Sequence, residues 1–152
     1  MREVKLINVD SMLPTILEIM GEGRRVRITV TGMSMYPFLR GNIDSVELSS
    51  INFAELLRGD IVLIKRDNGA YILHRVVHKG KERFFLAGDA QQWIEGPLRP
   101  DQLVAKVVTV WRKDSSIPCT AIVWIFLSKL WCWLLPFRYS IIKTYNIIHR
   151  LL

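Results

Sequence analysis

The order of hydrophobic and polar positions divides the chain into stretches with different periods. Over Asp10 to Met20, Ile16, Leu17 and Met20 recur at helical spacing, while Asp10 or Ser11 suits an N-cap and Pro14 an early turn. Gly21-Glu22-Gly23 ends that helix. From Arg25 to Thr31 the period drops to two: Val26, Ile28 and Val30 point one way and polar residues the other, as in a half-buried strand. Ile43–Leu48, Asp60–Arg66, Tyr71–His78, Arg83–Ala87 and Leu103–Trp111 repeat the strand signal, with a helical turn or two at Asn52–Leu57. Asn68-Gly69 and Lys79-Gly80 supply hairpin-turn chemistry between strands. The expectation is a mainly β domain over residues 24–113, preceded by a helical segment over residues 1–23.

The pattern changes again after residue 114. Ile117 to Leu135 is apolar apart from Thr120, Ser128 and Lys129, a length near the ~20 residues that cross a bilayer. A lysine at the centre of a span costs roughly 2.5–3.5 kcal/mol on insertion scales. Tyr139–Leu152 reads as an amphipathic helix, with Ile141, Tyr145, Ile148 and Leu152 on one side and Lys143 and Arg150 elsewhere. Residues 114–152 are therefore expected to associate with a membrane, with packing against the domain or a partner as the alternative.

Composition sharpens this division. Half of the 152 residues are hydrophobic and the mean hydropathy is +0.20, and the excess is concentrated in the C-terminal stretch. The net charge is +7, from 21 basic and 14 acidic residues. The bases are scattered, with no long Lys/Arg run, and the hydrophobic C-terminal segment makes a membrane surface, rather than nucleic acid, the best specific partner. Cys119 and Cys132 both lie in the apolar stretch and read as small apolar fillers rather than a disulfide framework. Met1 to Asp10 offers no apolar core of a secretory signal. The β domain is thus expected to stay where it is made, attached to the cytoplasmic face, and bases on both flanks of the apolar stretch choose no orientation.

Chemistry concentrates in four places. Ser34 stands in Thr31-Gly-Met-Ser-Met-Tyr-Pro37, directly after a strand, where Gly32 lets a substrate backbone or an oxyanion approach. His74 stands mid-strand in Tyr71-Ile-Leu-His-Arg-Val-Val77, and an imidazole titrates near neutrality, so it can take a serine proton and return it. His78, four residues on, is expected on the same face in a structural role, and His149 sits in the tail. Asp89, in Ala87-Gly-Asp-Ala90, and Glu95 are carboxylates after the next strand, either of which is placed to orient the imidazole.

Together these segments resemble the signal peptidase I superfamily. Gly32-Met-Ser-Met-Tyr-Pro-Phe-Leu39 is similar to the box around its nucleophile, and Gly59-Asp-Ile-Val-Leu63 to its Gly-Asp strand box. Leu73-His-Arg-Val-Val77 is similar to the box holding its general base, and Ala87-Gly-Asp-Ala90 to its last Gly-Asp box. The order and spacing match from about residue 26 to residue 110. Histidine rather than lysine at the base position is similar to the endoplasmic-reticulum, archaeal and sporulation-type members. In those, an aspartate six residues past the last Gly-Asp aspartate assists the histidine, and Glu95 holds that position here.

The resemblance implies a serine endopeptidase that cuts a signal or leader peptide without metal or organic cofactor. Ser34 would be the nucleophile, His74 the base, and Asp89 or Glu95 the third member. Gly32, Met33, Met35 and Pro37 would line the oxyanion and substrate site, with the Ser34 N–H as oxyanion donor. Its substrate would be an extended peptide or preprotein paired to a strand edge. The chain departs from the family in Gly41-Asn42, where Gly-Asp is common, and in carrying its hydrophobic segment at the C-terminal end. A LexA-type self-cleaving regulator shares the Gly-Met-Ser-Met sequence, but the base lysine, a helix-turn-helix and an Ala-Gly cleavage pair are missing. A catalytically idle membrane protein keeping the fold is the third reading.

Overall fold

The computed structural model describes residues 9–152. Residues 1–8, most of the opening stretch without a signal segment, lie outside the described residues. Helix α1 is described over Val9–Gly21, so Asp10 and Ser11 fall inside its first turn. Eight strands follow: β1 (Val26–Thr29), β2 (Asp44–Ser49), β3 (Ile61–Lys65), β4 (Tyr71–Lys79), β5 (Phe84–Ala87), β6 (Glu95–Leu98), β7 (Leu103–Arg112) and β8 (Ser115–Pro118). They form one antiparallel sheet in the order β1-β2-β7-β3-β4-β5-β6, with β8 also paired to β7. Helices α2 (Ile122–Trp133) and α3 (Arg138–Leu151) close the chain.

The architecture is mainly β with a short N-terminal helix and C-terminal helices, as the periodicity predicts. β3, Ile-Val-Leu-Ile-Lys, has no polar residue before its last position because it is central and covered on both faces. On one face Leu13, Ile16 and Met20 of α1 pack on Val46, Leu48, Ile61, Leu63 and Val107. On the other, Leu56, Val62, Ile64, Val76, Phe84 and Leu86 make a second core. The apolar stripe of α1 is Leu13, Ile16 and Met20; Leu17 is exposed. The helix is part of the main core, not a segment separable at residue 23.

Three further expectations change. The sheet runs past residue 113, because Lys113 takes a left-handed turn (φ 54°) and Ser115–Pro118 pairs back on β7. That takes Ile117 and Pro118 out of the apolar stretch and leaves α2 only 12 residues long; among the described residues no single helix is long and apolar enough to cross a membrane. His78 does not share a face with His74. Pairing shifts from Val76–Leu86 to His78–Phe85, a bulge that turns His78 onto the Phe85 ring, 5.7 Å between centroids. The four-residue β6 was not foreseen, since Glu-Gly-Pro-Leu lacks a strand composition; as an edge strand it tolerates proline.

Leu13→Ala removes a side chain sealed in the main core. Urea denaturation of the full chain should show a loss of about 2–5 kcal/mol. A helix merely appended to the sheet would leave the midpoint unmoved.

Candidate active site

Alternation along β4 sends neighbouring side chains to opposite faces, and here it separates two jobs. Arg75 faces one side and is fully buried. Its guanidinium donates to both oxygens of Asp89, at 2.7 Å each, and to the Gly59 carbonyl at 2.9 Å. The Phe38 ring lies 4.5 Å from its carbon centre. Asp89 is equally buried, so each charge is compensated by the other in a bidentate pair.

That pair carries the serine loop. β5 ends at Ala87, opposite Arg75, and the chain turns through Gly88, Asp89 and Ala90. The Ala90 N–H donates to the Ser34 carbonyl at 2.9 Å. Gly88 is required beneath it: a Cβ there would lie 2.7 Å from the Ser34 carbonyl oxygen. The loop holding Ser34 thus rests on Gly88–Ala90 at one point and on Arg75, through Phe38, at another. Within it Gly32 is left-handed (φ 73°), the Tyr36–Pro37 peptide is cis, and Gly41 leaves room for the Gly32 carbonyl. Arg112 ties down the far end, donating to both oxygens of Asp44 and to the Phe38 carbonyl.

His74 occupies the other face of β4, opposite Val62 of β3. It is 5 % exposed, and its Nδ1 is sealed without a hydrogen-bond partner. The group nearest that nitrogen in an ion-pair sense is Glu95 Oε2, at 3.8 Å. Glu95 is itself held by Arg66 through two bonds of 2.6 and 2.9 Å. Burial pushes the His74 pKa below its ordinary value, and Arg66 adds to this; Glu95 and Asp89 pull the other way and lose. That direction favours the neutral ring at pH 7.

The sequence left the third member open between Asp89 and Glu95. Asp89 has both oxygens engaged by Arg75, whereas Glu95 faces the imidazole. Asp89 is a positioning residue for the serine loop, and Glu95 the partner of the ring. Of the residues expected to line a substrate site, Met33 is exposed and Pro37 half-buried, but Met35 is sealed in the main core and offers a substrate only its backbone. Neither the Ser34 nor the Met35 N–H makes a hydrogen bond, which leaves two donors for an oxyanion. No hydrogen bond joins Ser34 Oγ to the His74 ring. Among the described residues no group of His, Cys, Asp and Glu could hold a metal ion. A cavity of about 480 Å³ lies between β3, β7 and α2, and neither Ser34 nor His74 lines it. Burial lifts the Cys119 thiol to about 11, in keeping with an apolar filler.

Arg75, Arg66 and Arg138 carry as much of this arrangement as the residues the motifs pointed to. Arg138, the first residue of α3, is fully buried and donates to the Gly88 carbonyl at 3.0 Å and to Trp131. In sequence each reads as an ordinary surface base. Compared with known proteins, the chain matches no family model and no curated sequence.

Asp89→Asn would leave Arg75 and Arg138 buried without a carboxylate. The expected loss is about 3–5 kcal/mol of unfolding free energy by urea denaturation. His74 makes a separate prediction. Between the ordinary histidine value of about 6.5 and its lower value in the folded chain, only the unfolded chain binds the proton. Stability should therefore fall as pH drops below about 6.5 through the folded value. His74→Gln should flatten that slope in melting curves taken across the same range.

Proposed function

We propose that this protein is a serine endopeptidase of the signal-peptidase kind, cutting a signal or leader peptide. The observation that carries the reading is a buried, neutral His74 whose sealed Nδ1 faces Glu95 on the same sheet that holds the Ser34 loop. The four motif boxes and the mainly β architecture support it. Ser34 Oγ attacks the scissile carbonyl. His74 Nε2 takes the serine proton and gives it to the leaving amine, and Glu95 stabilises the imidazolium formed in between. The Ser34 and Met35 N–H groups receive the oxyanion. Water then cleaves the acyl-enzyme, with His74 again as base.

The substrate fits as an extended strand. Among the described residues β1 pairs only with β2, which leaves its outer edge without a strand, and it leads directly into Gly32-Met-Ser34. A peptide added to that edge would bring its carbonyls toward Ser34. Ser34 and His74 stand on opposite faces of β4 with no hydrogen bond between them, so the reading requires the serine loop to rearrange on substrate binding until Oγ reaches Nε2.

The test compares protein N-termini in the native host expressing wild type, Ser34→Ala and His74→Ala. Termini lost in both variants are expected and would reveal the cleavage rule. Identical termini in all three would overturn the reading in favour of a fold kept without peptidase activity. With a substrate in hand, Glu95→Gln should lower kcat by about 10²-fold or more, while Asp89→Asn should act through loss of folded protein.

A further inference from the structure

We infer that α2 and α3 form an in-plane docking surface for an anionic phospholipid bilayer, and that Arg138 pins the bend that keeps them from spanning it. This stands whether or not Ser34 is a nucleophile.

α2 is apolar apart from Ser128 and Lys129. One stripe, Trp124, Ser128, Trp131 and Cys132, faces the sheet. The opposite side presents Ile122 (84 % exposed), Val123, Phe126 (63 %) and Trp133 (70 %) to solvent. An exposed aromatic and aliphatic face of this kind marks an interaction surface. Its charge decides the partner. From Ser115 to Leu152 the chain has no Asp or Glu, while Lys129, Lys143 and Arg150 are exposed. Bases beside apolar and aromatic side chains suit anionic headgroups above hydrocarbon. Trp133, Phe137 and Tyr139 cluster at the break between the helices, where interfacial aromatics anchor best.

The bend argues against a straight span. α2 has 12 residues, about 18 Å of helix, against about 30 Å of hydrocarbon. The two helices together would suffice, but they meet at 69°. The junction is fastened to the domain: Arg138 donates to Gly88 and lies 3.9 Å from Asp89, Trp131 Nε1 donates to the Asp89 carbonyl at 3.1 Å, and Gln92 donates to Pro136 at 2.9 Å. Straightening the pair would strip a buried guanidinium of these acceptors and carry it into lipid.

The experiment mixes the full chain with preformed vesicles of phosphatidylcholine, or of an equimolar mixture with phosphatidylglycerol, and measures cosedimentation. Capture by the anionic vesicles is expected, weaker by about fivefold for each of Lys129→Gln and Lys143→Gln. Ile122→Ser with Phe126→Ser should weaken it by about tenfold or more, with an unchanged melting curve because both side chains are exposed. Ser34→Ala should bind like wild type. An epitope tag after Leu152 should remain open to protease added outside intact vesicles. A protected tag would mean a span and overturn the proposal. So would capture indifferent to the double serine variant, or a chain that ignores vesicles and self-associates through this face in size-exclusion chromatography.

Discussion

The structure depends on the buried pair of Arg75 and Asp89. Two charges withdrawn from water are costly, and a bidentate pair in low dielectric roughly recovers that cost without adding much to stability. Its value lies in position. Every guanidinium donor needs an acceptor in a fixed plane, so Arg75 fixes Asp89, the Gly59 carbonyl and the Phe38 ring relative to one strand. Asp89 in turn sets the Gly88–Ala90 turn on which the Ser34 carbonyl hangs. An apolar substitute could fill the space, but it could not specify the angles.

β4 divides Ser34 and His74 between its two faces. Arg75 points to the face where the serine loop and C-terminal helices are hung, and His74, one residue earlier, points to the other. Each therefore has its own electrostatic setting. Arg75 is kept charged by a carboxylate in contact. His74 is kept neutral by burial, because Glu95 stands 3.8 Å away and is itself neutralised by Arg66. Had Glu95 lacked that arginine, its undivided charge would have raised the imidazole pKa and weakened the case for a free base at neutral pH.

The elements legible in sequence were those whose period matched their burial. β1 to β5 and β7 alternate or run apolar as their place in the sheet requires, and α1 shows its stripe, though rotated by one residue toward Leu13. β6 was illegible because Gly96 (φ 145°) and Pro97 suppress strand propensity, while a close approach to Phe85 demands the glycine. The bulge at Val77 hides in a continuous run, Arg-Val-Val-His, where either register buries valines. Ser34, His74, Asp89 and Glu95 were singled out by motif spacing. Arg75, Arg66 and Arg138 were not, because a buried arginine declares itself only through a partner distant in sequence: 14 residues on for Arg75, 29 for Arg66 and 50 back for Arg138.

The same distance effects join the C-terminal helices to the site. Trp124 and Trp131 pack on the Phe38 ring, and Tyr145 of α3 lies 6.5 Å from Tyr36, two residues past the serine. Arg138 and Trp131 take up the carbonyls of Gly88 and Asp89. Gly88 thus receives the serine loop on the side where a Cβ would stand and the helix anchor on its carbonyl. A displacement of α3 at Arg138 would be passed to this turn, and the turn is bonded to Ser34. Whatever lies against the helices therefore bears mechanically on the geometry of the serine.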